Sequence, residues 1–75
     1  MYVYLWGVTA EAAGTEMLET KFSGSLSELK ENLLQSFPSL SEWKFVVTVN
    51  GSVASDDQMV EDNDRVDVVP PFAGG

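Results

Sequence analysis

Three kinds of apolar pattern follow one another along this chain. A β-rich run comes first, a helical stripe lies in the middle, and short β-rich runs close it. Residues 2–8 concentrate Tyr, Val and Trp, which favour a strand. Alternation puts Val3 and Leu5 on one face and Tyr2, Tyr4 and Trp6 on the other. Gly7 and the segment Thr9–Gly14 end the strand and turn the chain, with one helical turn expected at Glu11-Ala12-Ala13 before Gly14 stops it. Residues 15–22 read as a second strand returning antiparallel. Leu26, Leu29, Leu33, Leu34 and Phe37 then recur at helical spacing. Ser25-Leu26-Ser27-Glu28 in front of them is a capping box, and Pro38 bars continuation, so the spacing predicts a helix over about 26–36. The stripe is read as core packed on a sheet. Residues 39–44 read as a loop with a turn around Trp43. Phe45–Val49 reads as a third strand, Asn50-Gly51 as a hairpin turn into a short strand at 52–54, residues 55–64 as an acidic loop, and Arg65–Val69 as the last strand.

The order β, β, α, β, short β, β predicts an α+β fold. One main helix covers a mixed sheet of four or five strands, the β-grasp or ubiquitin-like arrangement. In it the first and last strands lie parallel in mid-sheet. Residues 1–69 form the domain, and a flexible tail, residues 70–75, leaves from the end of a central strand.

Composition narrows the chemistry. The chain of 75 residues has no cysteine and no histidine. This removes disulfides, ordinary zinc sites and most nucleophile–base pairs. A carrier or substrate of other enzymes is expected rather than an enzyme, with no cofactor or metal bound by this chain. Twelve acids against four cations leave a net charge of −8. Phosphates would be repelled, so neither nucleic acid nor an anionic membrane is expected as a partner, and basic protein surfaces are. The apolar start lacks the basic flank of a signal sequence, and no stretch approaches the roughly 20 apolar residues of a membrane span. A cytoplasmic protein is expected.

The ending Pro70-Pro71-Phe72-Ala73-Gly74-Gly75 carries the candidate chemistry. Pro70 and Pro71 cannot donate ladder hydrogen bonds. They end the strand and hold the backbone extended, lowering the entropy lost when the tail enters a partner. Phe72 is an apolar anchor. Ala73, Gly74 and Gly75 form a slim tip with no side chain to block a narrow channel. The reactive group is the Gly75 carboxylate.

These residues, with Val49-Asn50-Gly51 and the run Asp62-Asn63-Asp64-Arg65-Val66-Asp67-Val68-Val69 before them, resemble the small subunit of molybdopterin synthase. That family belongs to the sulfur-carrier group of ubiquitin-like proteins. Trp6-Gly7 and Glu11-Ala12-Ala13-Gly14 are similar to the family's first strand and following turn. Ala10 departs from the pattern, because many members place an arginine in that turn. The resemblance implies a cycle. A ubiquitin-activating-type adenylyltransferase uses ATP and magnesium to adenylate Gly75, a sulfur donor displaces AMP, and the thiocarboxylate enters the large synthase subunit. There it gives sulfur to a cyclic pterin phosphate precursor, building the dithiolene that binds molybdenum. Catalytic residues belong to the partners. The face opposite the helix, with Tyr4, Trp6 and Val69, is the candidate partner interface, and Val53 joins it by resemblance. Three other readings stand beside this one: a sulfur carrier for thiamine, cysteine or transfer-RNA thiolation, a protein modifier joined to lysines through Gly75, and an interaction domain with an inert tail.

Overall fold

The computed structural model describes residues 1–71. A five-stranded sheet is ordered β2-β1-β7-β4-β5, with β1 at Tyr2–Leu5, β2 at Met17–Glu19, β4 at Val46–Val49, β5 at Ser52–Val53 and β7 at Arg65–Val69. A second, two-stranded sheet pairs β3, Gly24–Ser25, with β6, Met59–Val60. The central pair β1–β7 is parallel, with Val3 opposite Val66 and Leu5 opposite Val68. The neighbours β2 and β4 run antiparallel to it. The expected β-grasp arrangement is therefore present.

The main helix, α2, spans Leu26–Ser36, where the apolar spacing puts it. The capping box is complete. Ser25 accepts from the Glu28 backbone N–H, and the Glu28 carboxylate accepts from the Ser25 N–H at 3.2 Å. Leu26, Leu29 and Leu33 are buried from this helix against Val3, Leu5, Val47, Val49, Val66 and Val68 of the sheet. Sheet strands alternate, so this one burial decides which way all their side chains point. The hairpin turn is also where Asn50-Gly51 predicts it, with φ of 52° and 85° at the two residues, as a tight turn of that hand requires.

Four local expectations are corrected. Strand β1 ends at Leu5, just before Gly7, whose φ of 56° cannot continue a strand, and a helix, α1, spans Val8–Ala13. That helix is longer than one turn. The Glu11 N–H reaches the Gly7 carbonyl at 3.2 Å, and the Gly14 N–H returns to the Ala10 carbonyl at 2.8 Å. The second strand is Met17–Glu19 rather than 15–22, since its ladder runs only opposite Tyr2, Val3 and Tyr4. The acidic segment 55–64 is not wholly loop, because Met59–Val60 forms β6 and Val60 is fully buried. Residues Pro38–Glu42 form a 3₁₀ helix that buries Leu40, while Trp43 is half-exposed just beyond it.

Candidate functional site

Two features converge at the C-terminal end of β7, namely an uncovered sheet face and the exit of the chain toward its tail. Pairing across the sheet aligns Met17, Tyr4, Asp67, Thr48 and Val53 in one row. Glu19, Tyr2 and Arg65 line up beside it, and Val46 lies opposite Val69. None of these side chains is covered by α2. Tyr2 and Trp6 are about half exposed, at 47% and 50%, and Val53 is 75% exposed. Tyr4 and Val69 are partly buried. Of the residues expected at a partner interface, Tyr4, Trp6 and Val69 therefore cluster along the central pair. Val53 stands further out, on the edge strand β5.

A polar network stiffens this face. The Trp6 indole N–H donates to Asp67 Oδ2 at 2.8 Å. Arg65 donates from Nε to Asp67 Oδ1 at 3.0 Å and from its terminal nitrogen to Oδ2 at 3.2 Å. The same guanidinium lies over the Tyr4 ring, 4.3 Å from its centroid, in cation–π geometry. Partial burial disfavours the Asp67 charge. The hydrogen bonds from Arg65 and Trp6, with the Arg65 charge, outweigh that and hold its carboxyl below the usual value. Two acids at the far end are also held low. Asp62 accepts the Phe22 backbone N–H, and Asp64 accepts the Glu61 N–H and then the Asn50 amide.

Where β1 and β7 end together, Thr9 forms a knot that the pattern of apolar positions did not reveal. Its side chain is fully buried. The hydroxyl accepts the Trp6 N–H at 2.9 Å, and its proton serves the Trp6 carbonyl at 2.6 Å and the Val68 carbonyl at 2.9 Å. The Trp6 N–H also reaches the Val68 carbonyl at 3.1 Å. The Thr9 hydroxyl thus ties the end of β1 to the end of β7 through a carbonyl 59 residues further along the chain. The only hint in the sequence is a β-branched polar residue directly after Gly7-Val8.

Pro70 is buried and Pro71 is exposed. Pro70 packs on Gly7, where an added Cβ would lie 3.2 Å from the Pro70 ring. Gly7 thus serves twice, supplying a positive φ and the space that seats Pro70. Phe72, Ala73, Gly74 and Gly75, which carry the expected chemistry, lie outside the described residues. Among the described residues no group of three or more His, Cys, Asp or Glu is placed to hold a metal ion, and no helix is long and apolar enough to cross a membrane.

The small archaeal modifier protein 1 of Haloferax volcanii has a solved structure similar to this one. The TM-score is 0.80 at 20% identity, covering 96% of this chain and 97% of that one. A Pyrococcus furiosus protein described as molybdopterin converting factor, subunit 1, gives 0.81 at 23% identity over 95% of each chain. The small archaeal modifier protein 1 of Methanosarcina acetivorans gives 0.76 at 20% identity, over 99% of this chain and 94% of that one. Identities this low speak to the fold. No curated protein matches the sequence. The ThiS family matches residues 3–75, nearly the whole length, and the chain therefore belongs to the ThiS family of ubiquitin-like carrier proteins, whose members are not themselves catalysts.

Proposed function

We propose that this chain carries sulfur at Gly75 for molybdopterin synthesis. The observation that carries the reading is the geometry of exit. Strand β7 is held between β1 and β4, Pro70 is seated on Gly7, and Pro71 faces solvent immediately before Phe-Ala-Gly-Gly. The two prolines at the root of the tail have their φ angles fixed, which lowers the ordering entropy that opposes entry into a partner's active site.

The chemistry belongs to the terminus. A carboxylate is a poor electrophile. Its oxygen attacks the α-phosphorus of ATP, pyrophosphate leaves, and the resulting acyl-adenylate is activated. A sulfur nucleophile from a donor then displaces AMP, leaving a thiocarboxylate whose soft, anionic sulfur is nucleophilic at neutral pH. The magnesium-dependent adenylyltransferase, the donor and a large synthase subunit supply the bases and phosphate-binding groups. Tyr4, Trp6, Val69 and Val53 are the face on which these partners dock.

Intact-mass spectrometry tests the reading. Incubated with an activating enzyme, ATP, magnesium and a sulfur source, the chain should gain the mass of sulfur replacing oxygen. The product mixed with a large synthase subunit and a cyclic pterin phosphate precursor should return to the carboxylate form. Absence of both adenylate and thiocarboxylate refutes the carrier reading. A second reading, conjugation to lysines through Gly75, is favoured by the likeness to small archaeal modifier protein 1. A ladder of isopeptide-linked products, with no sulfur transfer to the pterin, would establish it instead.

A further inference from the structure

The chain leaves the domain toward its tail beside the open face, and one buried side chain is bonded to the backbone of both regions. Thr9 is fully buried. Its backbone N–H donates to the Trp6 carbonyl at 3.1 Å, and its hydroxyl bonds to the N–H and carbonyl of Trp6 and to the carbonyl of Val68. Trp6 presents its indole on the open face, where it donates to Asp67. Gly7 follows it directly. With φ 56° and ψ −129°, Gly7 holds a conformation closed to residues that carry a side chain, and its carbonyl accepts the Glu11 N–H at 3.2 Å. Pro70, two residues beyond Val68, is buried and lies against Gly7, where an added Cβ would stand 3.2 Å from its ring. The two halves of this seat come from opposite ends of the sequence, and the Thr9 hydroxyl bridges the strands that carry them. Among the described residues, every bond of that hydroxyl goes to Trp6 or Val68. Valine would fill the same space, so packing alone does not call for a hydroxyl here.

A lever gives this bridge its consequence. The five residues after Pro70 reach at most about 18 Å. Over that length a swing of about 10° at the root moves the terminal carboxylate by about 3 Å, whereas active sites hold reacting groups to within about 0.5 Å. The fixed φ angles of Pro70 and Pro71 pass the orientation of the root onward. A partner that grips Trp6 therefore receives Gly75 along a line set by how the seat stands relative to that side chain. We propose that Thr9 is a positioning residue, whose hydroxyl fixes the Gly7–Pro70 seat relative to Trp6 and so directs Gly75 into the partner's active site. The proposal rests on the proposed function in one respect, that Gly75 is adenylated by a partner docked on Trp6. Thr9 itself touches no reacting atom and acts through the backbone of Trp6 and Val68.

The test uses the full chain with a ubiquitin-activating-type adenylyltransferase, ATP and magnesium. Exchange of labelled pyrophosphate into ATP reports adenylation of Gly75. With the variants shown to be folded at the assay temperature, Thr9→Val should lower kcat about tenfold, within the ~100-fold that a misplacement of about 1 Å can cost. KM for the carrier should change by less than about twofold, because Trp6 still docks. Thr9→Ser, which restores the hydroxyl, should recover most of the rate. The double variant Pro70→Gly/Pro71→Gly breaks the lever and leaves Thr9 in place. It should lower kcat by a similar factor, and adding Thr9→Val to it should lower kcat no further. Losses that multiply, a KM effect without a kcat effect, or no rescue by serine each overturn the proposal. So does an unchanged kcat in the double glycine variant, which is readable even if Thr9→Val proves too unstable to assay. Proton NMR adds a readout that needs no partner. The nuclear Overhauser contact between the Gly7 Hα and the Pro70 ring should be present in the native chain and in Thr9→Ser, and weaker in Thr9→Val. Its full strength in Thr9→Val overturns the proposal. Absence of exchange with the native chain, while this NMR pattern holds, strikes the proposed function and supports the bridge. Exchange that is indifferent to Thr9→Val strikes the positioning role alone.

Discussion

The two faces of the central pair β1–β7 are built from the same strands and do opposite work. On the covered face Val3, Leu5, Val66 and Val68 are shut away from water beneath α2. On the open face Tyr2, Tyr4, Trp6, Arg65, Asp67 and Val69 keep contact with solvent, and directional bonds hold Tyr4, Trp6, Arg65 and Asp67 in place. Burial stabilises without regard to direction, so the covered face makes the domain stable. Hydrogen bonds and cation–π contacts orient side chains while contributing little net stability, so the open face can be pre-arranged for a partner at small cost to the fold. A period of two residues thereby separates the face that stabilises the domain from the face left open to solvent.

The sharpest test of that separation is a cavity on the covered face. Leu5→Ala should destabilise by about 2–5 kcal/mol, out of a total of roughly 4–11 kcal/mol for a chain of this length. Urea denaturation would show it, and a loss under ~1 kcal/mol would mean that the core tolerates collapse there. On the open face, Trp6→Ala should leave the denaturation midpoint nearly unchanged. It should weaken binding to the activating enzyme by ~2 kcal/mol, as buried interface aromatics do. Unfolding of this variant would break the comparison by moving Trp6 into the core.

Thr9→Val sits where the two faces meet. It keeps the shape and removes the hydroxyl that serves Trp6 and Val68. A loss of about 1–3 kcal/mol is expected for buried polar groups left unpaired, together with faster hydrogen exchange at the Trp6 amide. Unchanged exchange there would show that the direct Trp6–Val68 bond suffices.

The smallest effect should come from acid. The carboxyls of Asp62, Asp64 and Asp67 are all held below their ordinary value in the folded chain. Below the unfolded carboxylate value the unfolded chain therefore binds more protons than the folded one, and stability falls as pH drops. The contribution is fully present above the ordinary aspartate value of about 3.9 and is lost as pH falls through the lowered values. All three groups are at least partly solvated, so the slope should be shallow, and Asp67→Asn should flatten it further. A denaturation midpoint that rises on acidification would contradict these assignments.

Local physics wrote much of this protein legibly into its sequence. The helix Leu26–Ser36 follows from a capping box, an apolar stripe and Pro38, all within a few residues of one another. The Asn50-Gly51 turn and the strand Arg65–Val69 are equally local, and the split of β1 and β7 into two faces follows from alternation alone. Tertiary structure decided what depends on distant partners. Met59–Val60 is a strand because Gly24–Ser25 lies beside it, whereas the Thr20 N–H goes to the Met1 carbonyl and the Phe22 N–H to the Asp62 carboxylate without a continuous ladder. Thr9 is a knot only because Val68 arrives next to it, and Ala10, Glu16 and Met17 line one cavity only after α1 and β2 have folded against β1. A sequence states the bonds a residue can make with its neighbours along the chain. Which carbonyl, ring or carboxylate stands opposite a side chain across the sheet is settled only when the hydrophobic face has chosen the register.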